Sequence, residues 1–192
     1  MVGWQKVSVR TQPPALRKDV PALRLDPSSM AKGFAVDALI DLLARLDCRN
    51  TLVAIGGDLR GVGAGPEGRG WRVGIERPET AAPGLARVIE LRNAALSTSG
   101  NYRQTTRTGD RIAGHIIDPR TGQPATSALG SASVVQPTCA LSSALATTLI
   151  VLGPDAALTF ATREGVACLL QVRATGGWRE VNSATFDSLP QL

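Results

Sequence analysis

Residues 27–63 read PSSMAKGFAVDALIDLLARLDCRNTLVAIGGDLRGVG. Apolar residues recur every three or four positions through the first half, which predicts a helix from about Ser29 to Leu46. Ser28 or Ser29 is placed to cap it. Phe34, Ala38, Leu42 and Leu46, with Leu39 and Leu43 beside them, form the expected buried stripe, and Asp37, Asp41 and Arg45 the polar face. TLVAI (51–55) then reads as an interior strand, and Gly56-Gly57 as a sharp turn after it.

Outward from this unit, VGWQKVSVR (2–10) and PALRLD (21–26) alternate like strands, and the proline-rich TQPPALRKDVP (11–21) reads as a loop between them. Further strands are expected at GWRVGIE (70–76), ARVIELR (86–92), RIAGHII (111–117), ASVVQ (132–136) and VACLLQVR (166–173). A second helix should run from about Thr138 to Leu152 with Gly153 as its stop, and PDAALTFATREG (154–165) makes a third. Helices and strands mix without strict alternation, so the expected class is α+β, with mixed or antiparallel sheets packed against helices. At 192 residues and 43% hydrophobic content, one domain spanning 1–192 is expected.

Net charge is +5, but the arginines are scattered and aromatics are only 4%, so no base-stacking platform is visible and nucleic acid ranks low as a partner. A small anionic ligand accounts for the same excess. No apolar run approaches the ~20 residues of a membrane span. MVGWQKVSVRTQ lacks the apolar stretch of a signal peptide, which points to the cytoplasm for the chain as written. Cys48, Cys139 and Cys168 are odd in number and widely spaced in apolar surroundings. They read as small buried hydrophobes and not as a disulfide framework or metal site.

Four stretches carry polar groups that the scaffold alone does not require. DPSSMAKGFAVD (26–37) opens the first helix, where free N–H groups and Lys32 suit phosphate oxygens, although an ordinary capped helix reads the same way. GGD (56–58) permits close backbone approach, or is simply a turn. LSTSGNY (96–102) is a polar pocket wall or a Ser/Thr-rich turn. HIIDPRTG (115–122) holds the one histidine before a rigid Pro/Gly loop, with His115 and Ile117 on one strand face and Ile116 on the other.

Taken in order, DPSSMAKGFAVD, GGD, TSGNY (98–102), HIIDPRTG and SSALAT (142–147) resemble the motif series of the FAD:protein FMN transferase, or ApbE, family. The resemblance implies an ApbE-like, T-fold-related architecture. It also implies a Mg²⁺-dependent transfer of FMN from FAD to a threonine or serine of a flavoprotein subunit with release of AMP. Some members hydrolyse FAD instead. By the same resemblance Asp26 and Lys32 face FAD, Ile117 touches the flavin, and His115 assists proton transfer. Ser29 and Thr147 offer oxygens to the metal.

Two departures accompany it. Ser143 stands where the family carries its main metal-binding aspartate, one helical turn before Thr147; Asp118 is a possible local substitute. Only twenty-five residues precede Asp26, where family members, often periplasmic or lipid-anchored, carry roughly a hundred more, so the domain is expected to be shortened at its N-terminus. A degenerate, non-catalytic member that holds FAD or a partner protein is the alternative expectation.

Overall fold

The computed structural model describes residues 3–79, 84–100, 105–108 and 111–191; for 105–108 and 111–113 the description is of the backbone. A hairpin of β1 (Val7–Thr11) and β2 (Pro14–Lys18) precedes α1 (Ser28–Arg45). β3 (Thr51–Ile55), β4 (Asp58–Val62), β5 (Trp71–Glu76), β6 (Leu85–Leu91) and β7 (Ala94–Gly100) follow. Short pieces β8 (Thr105–Thr108), β9 (Arg111–Gly114), β10 (Ile117–Asp118) and β11 (Gln123–Pro124) lead to β12 (Leu129–Gln136). The chain ends with α2 (Cys139–Leu152), α3 (Pro154–Arg163), β13 (Ala167–Ala174), β14 (Gly177–Asn182) and α4 (Ala184–Asp187).

The expected α+β class is what forms. A six-stranded sheet in the order β14-β13-β12-β7-β4-β3 is antiparallel at every pairing. Alternation along its strands builds two cores. On one face, Ala132, Val134, Cys168 and Leu170 meet Ala146, Leu149 and Ile150 of α2 and Ala157 and Ala161 of α3. On the other, Leu96, Val135 and Leu169 meet Val73, Ile75, Ile89 and Leu91 of the β5–β6 ribbon, with Phe186 of α4 closing the layer. Gly153, at φ 79°, ends α2 as expected.

Several expectations change. TLVAI is the edge strand β3, half-buried in alternation, because β4 pairs it on one side only. PALRLD forms no strand, and the expected loop 11–21 contains most of a hairpin; Pro14 is tolerated at the first position of a two-stranded ribbon, where no ladder donor is needed. RIAGHII is strand to Gly114, breaks at His115 and Ile116, and enters the short β10 at Ile117. LSTSGNY is not a turn: Leu96–Gly100 lie in β7 at the sheet's centre, and its hydroxyls find partners across the sheet and on α2. Asn101 and Tyr102 lie outside the described residues. Cys48 is exposed, whereas Cys139 and Cys168 are buried as expected.

The stripe on α1 is rotated from the expected one. Gly33, Val36 and Ile40 are the buried positions, and Phe34, Leu42 and Leu46 are exposed at 67%, 49% and 65%. α1 is apolar on more than one side, so its periodicity does not choose the face; contact with α2 does. At Gly33 the helices touch backbone to backbone, and an added Cβ would collide with the Cys139 carbonyl. Gly33→Ala should therefore lower the unfolding free energy by about 1–3 kcal/mol through overpacking, read from urea denaturation. No cost would mean that the helices part freely.

Neither serine caps α1. Asp26 does the nearest equivalent, its Oδ1 accepting from the Ser28 N–H at 2.9 Å, which holds its carboxyl below the usual range. Among the described residues no helix is long and apolar enough to cross a membrane.

Candidate active site

The N-terminal turns of α1, the β3–β4 turn, the middle of α2 and the segment 115–119 surround one open cleft of about 1120 Å³. Gly56 and Gly57, with φ of 55° and 91°, make the two-residue turn that swings Asp58 back beneath α1. Lys32, from the second turn of α1, donates to the Gly56 carbonyl at 3.1 Å and meets Asp58 Oδ2 at 3.1 Å. The pair is asymmetric: the Lys32 side chain is 49% exposed, that of Asp58 only 3%. The Ser143 hydroxyl donates to the same Oδ2 at 3.2 Å.

One turn further along α2, the Thr147 hydroxyl donates back to the Ser143 carbonyl at 3.2 Å and shares a 3.0 Å hydrogen bond with Ser99 of β7. Asp26, Ser29, Lys32, Ser143 and Thr147 all line the cleft, with Lys32 and Ser143 meeting at Asp58 Oδ2. His115, Ile116 and Ile117 all line it; residues 115 and 116 lie outside any strand, but burial alternates as expected, Ile116 being buried against the core and its two neighbours exposed.

Asp118, between the cleft-lining Ile117 and Pro119, is not itself among the described residues that line the cleft. Arg120 clasps its carboxylate at 2.7–3.2 Å and holds it below the usual range, away from the cleft lining. The carboxylate beside Ser143 is Asp58, which spacing along the chain did not reveal because 85 residues separate the two.

A second carboxylate escaped the sequence reading. Asp37, expected on the solvent face, accepts the backbone N–H groups of Cys139 and Ala140 at 2.9 Å each and the Arg60 guanidinium at 2.8 Å. It supplies the N-terminus of α2 with the anion that no local side chain provides. Gly33 four residues earlier was the available signal: a small residue marking close approach puts its i+4 neighbour against the same partner.

Cys139 sits behind this contact, and burial pushes its thiol up to about 11. Any stability it lends is therefore full below the ordinary thiol range and is lost as pH rises towards 11. A thiol-alkylating reagent at mildly alkaline pH should label native protein at Cys48 alone, with Cys139 and Cys168 following only after denaturation; peptide mass mapping reads the result.

The oxygen donors (Asp58, Ser143, Thr147, Ser29) are hard, and only one is a carboxylate. Among the described residues no cluster of three or more His, Cys, Asp or Glu exists to hold a metal unaided. Such a set fits Mg²⁺ on the terms this ion usually accepts, one or two carboxylates with the remaining oxygens coming from phosphates and water.

Fold and cleft together define an α+β protein with an ammonium, glycine backbone and hard oxygen donors around a space suited to a phosphorylated ligand. The chain belongs to the ApbE family, which it matches over residues 1–170. It is 36% identical to the FAD:protein FMN transferase of Haemophilus influenzae over 193 residues, covering 99% of this chain and 56% of that protein. The Vibrio cholerae enzyme of the same name is 34% identical, with 89% and 51% covered. The crystal structure of the apo flavinyl transferase ApbE of Pseudomonas stutzeri superposes with a TM-score of 0.84 at 37% identity, covering 98% of this chain and 57% of that one. The chain spans about half the length of the relatives it matches.

Proposed function

We propose that this chain carries the phosphate- and metal-facing part of an FAD:protein FMN transferase. The observation that supports it most directly is the convergence of Lys32, Asp58, Ser143 and Thr147 in one cleft, with His115 on its rim. In the reaction, an acceptor threonine or serine oxygen attacks the phosphorus on the FMN side of the FAD pyrophosphate. The bond to the AMP phosphate breaks, AMP leaves, and the hydroxyl proton passes to a base. Lys32 and the N-terminus of α1 counter phosphate charge, His115 is placed to receive the proton, and Ile117 offers apolar surface to the flavin. Asp58, Ser143, Thr147 and Ser29 would hold Mg²⁺, which neutralises charge developing on the pyrophosphate.

Incubation with FAD, Mg²⁺ and an acceptor flavoprotein segment should raise the acceptor mass by one FMN less one water, and chelation of the metal should abolish the gain. AMP and FMN without an adduct would indicate FAD hydrolysis instead. No product at any Mg²⁺ concentration would overturn the reading.

Ser143 favours a second reading, a member that binds FAD without turning it over. Under that reading Ser143→Asp restores turnover to an inert chain, whereas metal-dependent transfer by the unaltered chain removes it.

A further inference from the structure

We propose that Asp58 is the cation-facing carboxylate of this cleft, and that Lys32 is its resident counter-ion, exchanged for a divalent metal when a phosphorylated ligand arrives. The inference rests on the proposed function only in taking that ligand to be the FAD pyrophosphate.

Three features carry it. The Asp58 side chain is 3% exposed, yet it belongs to the cleft wall, and a cation beside it offsets the cost of burying its charge. Asp58 is carried on β4 and tied to α2 by the Ser143 hydroxyl donating to Oδ2 at 3.2 Å, a contact that does not depend on Lys32. Lys32 is the opposite case: its side chain is 49% exposed on a flexible stem, and Nζ reaches both Asp58 Oδ2 and the Gly56 carbonyl at 3.1 Å. A phosphate entering at the first turns of α1 competes for that ammonium. Once Lys32 turns to the phosphate, the buried Asp58 charge is uncompensated, and a hard divalent cation between it and the same phosphate restores the balance.

Ser143 takes part by holding Asp58, with no negative charge of its own. Thr147, whose Oγ1 meets Ser99 at 3.0 Å, lies one turn further along the same face of α2. The exchange replaces one ion pair by two, Lys32–phosphate and Asp58–metal. It therefore predicts that metal and FAD bind cooperatively, each weakly without the other.

The test titrates MnCl₂ into the purified chain with FAD, following loss of the free Mn²⁺ electron paramagnetic resonance signal while chromatography shows the FAD intact. The unaltered chain should bind Mn²⁺ tightly only with FAD present. Asp58→Asn should weaken that binding about a hundredfold, and Ser143→Ala about tenfold through lost orientation. Metal-free FAD affinity of Asp58→Asn should be unchanged or tighter, since Lys32 is released. Asp58→Asn/Ser143→Asp should recover most of the lost Mn²⁺ affinity.

Unchanged Mn²⁺ affinity in Asp58→Asn would mean that the carboxylate only anchors Lys32, and would overturn the proposal. So would an unaltered chain that fails to bind Mn²⁺ with FAD present. If Asp58→Asn does not fold, judged by far-UV circular dichroism, Ser143→Ala decides: undiminished Mn²⁺ affinity overturns the proposal. Asp58-dependent Mn²⁺ binding without FMN transfer would leave this inference standing and remove the transferase reading. Transfer that survives Asp58→Asn at unchanged Mn²⁺ affinity would do the reverse.

Discussion

Replacing Asp37 with alanine should cost about 3–5 kcal/mol of folding stability. Two contributions add. Loss of an anionic cap from an α2 N-terminus that has no side-chain cap of its own costs about 0.5–2 kcal/mol. The larger part comes from Arg60, whose side chain is only 20% exposed and whose Nε has no partner among the described residues. Without Asp37 that guanidinium stays largely buried and unpaired. Urea denaturation checks the size. Asp37→Ala/Arg60→Met should regain part of the loss, because it removes the stranded charge as well. A loss under about 1 kcal/mol for the single variant would place the pair among ordinary surface ion pairs.

The second large effect belongs to the proposed reaction. Lys32→Gln keeps length and a hydrogen-bond donor but removes the ammonium, and should lower kcat/KM for FMN transfer by about 10²–10³. It should also destabilise the protein, because Asp58, 3% exposed, loses its cation. Millimolar Mg²⁺ should return part of that stability. Acceptor mass against time reads the rate, and thermal unfolding with and without Mg²⁺ reads the stability. A variant with near-normal kcat/KM would show that the phosphates are held elsewhere.

The elements legible from the sequence were those where one signal dominated. α2 and β13 are apolar runs of helical or strand length, α3 is an amphipathic stretch opened by Pro154, β12 was found from Ala132 although it begins at Leu129, and Gly153 marked its boundary well. β7 was not legible, because a buried strand bearing Ser97, Thr98 and Ser99 looks like a turn until its partners Cys139, Ser133 and Thr147 are in place. The face of α1 was not legible either: Val36 and Ile40 compete with Phe34, Leu42 and Leu46 on hydrophobicity alone, and only the α2 contact decides.

The candidate site shows the same division. The motif positions at 26, 29, 32, 115, 117, 143 and 147 meet in one cleft. What each does there depends on long-range pairings that spacing does not encode, above all Asp58 with Lys32 and Ser143.

The backbone contact at Gly33 also governs how the cleft can open. Lys32 lies beside that contact on one helix and Ser143 one turn beyond it on the other, so main-chain atoms already touching set the gap between them. Side-chain rotamers can change on either helix, but they do not part the two backbones. The other wall, His115 to Pro119, is held by the two-residue β10–β11 pairing, by the Ala125 N–H donating to the Ile116 carbonyl at 2.8 Å and by Ile116 in the core. One wall of the cleft is thus pinned by main-chain contact, and under the proposed function the adjustment that admits FAD and releases AMP is expected from the wall that carries the histidine.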